Sequence, residues 1–531
     1  MSITSFLFLG FVLLTLIVYY IVPTKAQWVV LLIASIAFYC SFSVYGIFVM
    51  IATALFSWFA AIRIQKLKEE HGAWMAENKD SADKQTRKAK KAYYRRKQKN
   101  YVILSVIISI GLLFLFKYYG SFAANINNIF DTRFWTAENI LIPLGISYYS
   151  LMLIGYVTDV YRDIVPVEKN PLKVILFGSF FLSIMQGPFN RYGELMPQIC
   201  KADRTRLTAR KTRDAAIRIA GGYIKKLCIA DNVAVLANEI FNNYTNYKGV
   251  GILIGVACFA IQLYADFSGY MDIVIGIGEL FGIELPENFK QPFFSRNMSE
   301  FWRRWHITLG AWLKDYVFYP ILKSNAWKKM GKGISNKLGK EAGRRIPTYL
   351  GMLILWTLIG LWHGAGMNYV FGVGLLQFIY IFTGEICDPL FVKAKRFLHI
   401  DDKKFYWHIW QSLRCTVLMM FAWIFFRSAS FTDALKMIRS VFVMPNIEQV
   451  KDVFHVINGL YLRTTIFILL SLLAIIAVDL LHENKKSIRI MIGCSRFPVR
   501  LAFYLLLAFT IIIFGAYGNQ YIASDFIYTG F

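Results

Sequence analysis

Long apolar runs alternate with short polar interruptions along this chain, and the run lengths are the first guide to what it builds. Phe6 to Val22 and Trp28 to Phe42 open the sequence as two apolar stretches, and Tyr101 to Phe116, Ile466 to Leu481 and Leu501 to Tyr517 repeat the pattern later. Crossing a bilayer takes about 20 helical residues, and roughly ten to thirteen segments approach that length, several of them short or broken. The pattern predicts an all-α, polytopic integral membrane protein, read as one membrane domain over 1–531. Within it, 1–64 is a block of apolar helices and 65–100 a basic cytoplasmic loop, helical or partly disordered. Residues 101–384 form a core in which polar and aromatic clusters interrupt the apolar runs, and 385–531 return to plainer helices. Glycines inside apolar stretches (Gly251, Gly255, Gly269, Gly276, Gly278) suit close helix packing.

The interruptions of the core carry the candidate chemistry. Asp266 and Asp272 fall within the apolar run Val256 to Phe281. Ionisable groups at such places are costly and are kept where they face a cavity or react; a helix boundary with Asp266 as a local cap explains them equally well. The stretch from Leu285 to His306 is too charged to span lipid and rich in aromatic residues. Ser299 and Glu300 are expected to open one interfacial helix, with Phe301, Trp302, Trp305, Leu309 and Trp312 as its apolar stripe. Arg303 and Arg304 lie off that stripe, where guanidinium groups suit either lipid phosphates or the phosphates of an acyl donor. His306 is open to a structural hydrogen bond or to a substrate contact. His363 lies in Leu361-Trp362-His363-Gly364-Ala365-Gly366, between two apolar runs. The small residues after it leave room for a backbone or a ligand beside an imidazole that can serve as a general base. The residues alone leave a satisfied structural histidine as the other reading.

Composition agrees with the membrane assignment: 56% of residues are hydrophobic and 17% charged, against roughly a quarter charged in soluble domains. The net charge of +26 does not point to nucleic acid, because the basic residues sit between apolar segments. Lys84 to Lys99 holds nine Lys or Arg and no acid, and Lys201 to Arg213 and Lys323 to Arg345 are similar. Such loops are expected in the cytosol, which puts the N-terminus outside; they fix topology, greet anionic lipid or attract a polyanionic thioester. Met1 to Phe6 has no basic stretch, so the first run reads as a membrane helix and not as a cleaved signal. Seven scattered cysteines form no disulfide frame, no Cys/His cluster has metal-site spacing, and no phosphate-binding loop or nucleophile elbow is present.

Five stretches in order give the chain a family likeness. They are Pro143-Leu-Gly-Ile-Ser-Tyr-Tyr149 with Asp159-Val-Tyr-Arg162, Gln186-Gly-Pro-Phe-Asn-Arg191, Gln262 to Tyr270, Glu287-Asn-Phe289 through Tyr319-Pro320, and Gly360 to Gly364. Weaker ones are Trp423 to Arg427 and the aromatic end Phe526 to Phe531. Together they resemble the bacterial branch of the membrane-bound O-acyltransferase family, particularly its alginate O-acetyltransferase type. By that resemblance His363 matches the family's essential histidine and His306 its second characteristic polar position. The resemblance implies a ring of membrane helices around a funnel or tunnel, with re-entrant and interfacial helices on the cytosolic side. It further implies acetyl-CoA as donor, with no permanently bound cofactor and no metal. The acceptor would be a polysaccharide at the cell surface, served by a separate extracytoplasmic SGNH-type partner, and the location a bacterial plasma membrane. D-alanyl transfer toward teichoic acid is the second enzymatic expectation. A transporter using Asp266, Asp272 and His363 as a relay is the non-enzymatic one.

Overall fold

The computed structural model describes residues 1–120, 122–123, 127, 141–201, 207–444 and 462–517; the aromatic end Phe526 to Phe531 lies outside them. Among the described residues the chain is helical, and its sheet pairing is the single bridge between Phe289 and Trp305. Seven of the described helices are long and apolar enough to cross a membrane: Val44–Glu77, Lys84–Tyr118, Val250–Phe281, Lys340–His363, Tyr369–Ile386, Phe405–Arg427 and Phe497–Phe514. Two shorter apolar helices, Phe6–Ile21 and Thr24–Cys40, precede them. On Phe497–Phe514 the side chains of Leu505, Leu506, Phe509, Ile512 and Ile513 are exposed, as lipid-facing residues must be. The protein is therefore an all-α multipass membrane protein.

The chain divides into two compact units. The first comprises Met1–Lys211 with Ile277–Pro286, and the second Thr212–Gly276 with Glu287–Phe531.

In the first unit the basic stretch 65–100 takes the helical form of the two the sequence allowed. Val44–Glu77 carries its helix on through the first part, and Lys84–Leu113 starts a new one at the head of the lysine-rich run. Asp83 caps the second helix by accepting from Thr86 N at 3.0 Å. Lysine and arginine are good helix formers, so a charged run between apolar helices extends them beyond the hydrocarbon instead of ending them. Farther on, Gly145 adopts φ +66°, and a Cβ there would lie 2.0 Å from the Ile184 carbonyl oxygen. Glycine is needed at this turn to begin the buried helix Ile146–Tyr161. Tyr148 of that helix stacks on Phe189 at 4.8 Å, and Asn190 Nδ2 donates to Ser183 Oγ at 2.6 Å. Two of the stretches that carry the family likeness thus pack on each other.

In the second unit the helix Ala209–Tyr223 crosses the long helix Val250–Phe281 where both are glycine. A Cβ on Gly222 would lie 2.7 Å from the Gly269 carbonyl oxygen, and one on Gly276 would lie 3.1 Å from that of Ala215. Small residues let two backbones touch, which is how helices associate where lipid supplies no hydrophobic drive.

That approach explains the two aspartates. The helix Val250–Phe281 runs unbroken through Asp266 and Asp272, so the helix boundary considered from the sequence is absent. A widened helical turn, Ile224–Ala230, presents two adjacent lysines to it. Lys225 Nζ meets Asp272 at 2.7 Å, and Arg218 Nε reaches the same carboxylate at 3.1 Å. Lys226 Nζ sits between Asp266 at 2.8 Å and Asp231 at 2.9 Å, with all three side chains at most 2% exposed. Buried charges of this kind persist when they are paired.

Candidate active site

The segment Glu287 to Leu313 folds back on itself. Lys290 N donates to the Arg304 carbonyl at 2.9 Å and Ile307 N to the Asn288 carbonyl at 3.1 Å. These bonds flank the Phe289–Trp305 bridge and force the chain out of helical geometry there. The one interfacial helix expected from Ser299 onward is consequently two helices of seven residues each, Met298–Arg304 and Ile307–Leu313. The first is capped by Asn297, whose side chain accepts from Glu300 N at 2.9 Å, and not by Ser299. His306 is the hinge, with φ +48°, a left-handed conformation that costs a residue bearing Cβ roughly 1–2 kcal/mol. Of the expected stripe, Phe301, Trp305, Leu309 and Trp312 are buried, while Trp302 is half-buried.

His306 is 3% exposed, and its Nδ1 lies 3.2 Å from Asn288 Oδ1. The same oxygen accepts from Thr308 N and Thr308 Oγ1, each at 3.0 Å. The Phe267 and His306 rings stand edge-to-face with centroids 4.9 Å apart. Burial lowers the His306 pKa from 6.5 to about 3, so the ring is neutral at physiological pH.

His363 closes the helix Lys340–His363 and is 4% exposed. Of the two occupants the sequence allowed beside it, a backbone or a ligand, the glycines around His363 admit the chain's own return. A Cβ on Gly364 would lie 2.5 Å from the Tyr369 ring, and one on Gly360 would lie 2.8 Å from the Tyr369 carbonyl oxygen. The helical turn Tyr369–Leu375 therefore packs straight back onto the helix that His363 ends. Trp362 stands edge-on to both histidine rings, with centroids 4.8 Å from His363 and 6.2 Å from His306, and Phe426 contacts His363 from another side at 5.6 Å.

Both histidines line one cavity of about 240 Å³. Its walls are mostly apolar, with the aromatic rings of Trp302, Trp305, Trp356, Trp423 and Phe426 among aliphatic side chains. Polar atoms come from Ser299, Gln377, Arg303 and Lys314, and Trp302 Nε1 donates to Gln377 Oε1 at 3.2 Å. A second pocket of about 960 Å³ shares Ser299 and Ile381 with the first. It carries Arg296, Arg344, Arg345, Lys395 and Arg414 against Glu385 and Asp388. Neutral imidazole in a water-poor aromatic chamber beside a basic vestibule can take a proton from a hydroxyl and receive an anionic co-substrate.

The predicted arginines part company. Arg303 lines the inner cavity and is exposed. The Arg304 guanidinium instead forms a two-pronged pair with Glu483 at 2.8 and 2.9 Å and a third bond to Glu300 at 2.8 Å. Three carboxylate contacts make it a clamp on the protein. Asp266 and Asp272 are not among the cavity's lining residues. No group of three or more His, Cys, Asp or Glu suited to a metal occurs among the described residues. Asn288 was legible as part of the Glu287-Asn-Phe289 block, but no spacing rule joins it to His306. Trp423 and Phe426 fall in the weaker block Trp423 to Arg427, but Gln377 lies outside every such block, and these residues and Trp356 reach the cavity from three different helices.

Residues 37–335 match the model of the MBOAT, membrane-bound O-acyltransferase family; the match includes His306 and ends before His363. A probable alginate O-acetylase of Pseudomonas syringae pv. tomato is 30% identical over 64% of this chain and 60% of its own length. A peptidoglycan O-acetyltransferase of Helicobacter pylori is 29% identical over 77% of this chain and 73% of that one. A teichoic acid D-alanyltransferase of Bacillus subtilis is 29% identical over 48% of this chain and 65% of that one. The chain thus spans about three fifths of the length of the alginate relative.

Proposed function

Because this chain belongs to the membrane-bound O-acyltransferase family, we propose that it moves an acetyl group from cytosolic acetyl-CoA toward hydroxyls of an exported cell-surface polysaccharide. Supporting this reading above all is that His306 and His363, far apart in the sequence, line the same aromatic cavity. His363 acts as general base. As the acceptor O–H proton passes to the imidazole, the oxygen attacks the thioester carbonyl and a C–O bond forms. The C–S bond then breaks, and the departing thiolate takes the proton back from the imidazolium, so the histidine ends neutral. His306 contacts and orients the reacting groups beside Trp362. The indole and phenyl walls exclude water, which favours transfer over hydrolysis and holds the reactants in proximity.

The donor's phosphates rest in the basic vestibule, with Arg303 at the cavity and Arg296 and Arg344 farther out, since guanidinium forks match phosphate oxygens. The chain works in the plasma membrane of a bacterium, and a separate extracytoplasmic SGNH-type protein completes transfer to the polymer. A second reading, D-alanyl transfer to teichoic acid, rests on the likeness to the Bacillus subtilis protein. The two are separated by giving membrane vesicles either radiolabelled acetyl-CoA or a D-alanyl-loaded carrier protein. With the acetyl donor, His363→Ala is expected to lower label transfer to glycan by at least about 10³-fold at unchanged expression. Full transfer by that variant would overturn the mechanism.

A further inference from the structure

We propose that Asn288 is a positioning residue that holds His306 in the tautomer protonated on Nδ1, so that Nε2 is the basic nitrogen offered to the cavity. The inference rests on the reading of His306 as part of the acyl-transfer site, and it deepens that reading by fixing which nitrogen acts.

The argument starts from a backbone amide. An N–H group can only donate, so the Asn288 atom 3.0 Å from Thr308 N must be the carboxamide oxygen. Without such an anchor the oxygen and nitrogen of an amide could be exchanged; here the choice is forced. Consistently, Nδ2 lies on the other side, 3.6 Å from Met271 Sδ. The Thr308 hydroxyl donates to the same oxygen at 3.0 Å. His306 Nδ1 is the third group on it, at 3.2 Å, and an oxygen acceptor requires Nδ1 to carry the hydrogen. A neutral imidazole bears one proton, so Nε2 then keeps its lone pair.

Position supports the same assignment. His306 lines the cavity and Asn288 does not, so the ring turns Nδ1 away toward Asn288. Asn288 itself is fully buried. Its backbone carbonyl accepts from Ile307 N at 3.1 Å, so one residue fixes both the main chain and the ring at the hinge. The left-handed conformation of His306 is the local cost of turning the imidazole to that oxygen.

The tautomer can be read without substrate. Protein labelled with ¹³C and ¹⁵N at histidine, in lipid nanodiscs, gives ring-nitrogen shifts that distinguish the two neutral forms, and His306→Gln identifies the His306 signal. The wild type is expected to show a protonated Nδ1 and a bare Nε2. Asn288→Asp keeps the acceptor and should keep that pattern. Asn288→Leu, of similar size, should lose it and lower kcat for acetyl transfer from acetyl-CoA by about tenfold or more, with KM for acetyl-CoA within about twofold; a mis-set tautomer costs up to about 10⁴ elsewhere. A wild-type His306 protonated on Nε2 overturns the inference, and this result needs no variant to fold. So does a folded Asn288→Leu protein with unchanged ring shifts and unchanged kcat. Acetyl transfer that survives His306→Ala would instead overturn the catalytic reading of His306, whatever the ring shifts show.

Discussion

The two candidate histidines owe their settings to different forces, and the difference can be measured. His306 sits where burial holds its pKa at about 3, against an ordinary 6.5. Above pH 6.5 the ring is neutral in folded and unfolded chains alike and adds no pH dependence. As pH falls from 6.5 toward 3, the unfolded chain takes a proton that the folded site refuses, so stability is lost with acidity. The melting temperature in detergent should therefore fall less between pH 7 and pH 5 for His306→Gln than for the wild type; equal slopes would show that the burial is relieved. The sequence marked His306 and His363 as residues of interest but left their roles open, because hydrogen-bond partners such as Asn288 and ring neighbours such as Phe426 are set by tertiary contacts. Arg304 illustrates the limit from the other side. A guanidinium on a polar face looked free to bind phosphate until Glu483, far along the chain, was seen to hold it.

At the scale of helices, periodicity was a good guide to which residues are buried and a poor one to where helices break. All of the apolar stripe from Phe301 to Trp312 but the half-buried Trp302 is buried, yet the helix carrying it is divided at His306 by backbone bonds to Asn288 and Lys290. In the same way Asp266 looked like a helix end because its partner, Lys226, is on another helical turn. Lys226 is the one cation between two buried carboxylates in that triad, so Lys226→Met should destabilise the protein by about 3–5 kcal/mol. Neutralising Asp231 and Asp266 to Asn in the same protein should recover much of that loss; a thermal melt in detergent reads both. The crossing of Ala209–Tyr223 over Val250–Phe281 gives a sterically defined test. Gly222→Val must push into the Gly269 carbonyl and should cost about 1–3 kcal/mol. Gly221→Ala, with nothing within 4 Å of its new Cβ, should be neutral or slightly stabilising.

For the molecule as a whole, the alternation of apolar and polar runs was enough to place the chain in a membrane as an all-α protein, and the ordered blocks were enough to reach the family. The division into two units was not legible, because the short stretch Ile277–Pro286 joins the first unit while the residues on both sides of it belong to the second. Nor was the basic vestibule, whose arginines and lysine come from separate helices and a loop. If it receives the donor's phosphates, Arg344→Ala should raise KM for acetyl-CoA about tenfold and leave kcat nearly unchanged, and added salt should weaken donor binding in the wild type but less in the variant. A variant with unaltered KM and unaltered salt response would remove the vestibule from the donor site.

The hairpin that joins Asn288 to His306 also sets an order of manufacture. Its bonds close within about twenty residues, so it can form as soon as that stretch leaves the ribosome. At roughly 5–20 residues per second, His363 follows on the order of several seconds later. Glu483, which pins Arg304 at the end of the hairpin, arrives later still. The nascent protein thus holds one histidine on its mount first, then gains the opposing wall, and is latched last. Products truncated between His363 and Glu483 should carry both histidines with the hairpin unlatched, and proteolysis of ribosome-arrested chains of increasing length would reveal these stages as separate gains in resistance.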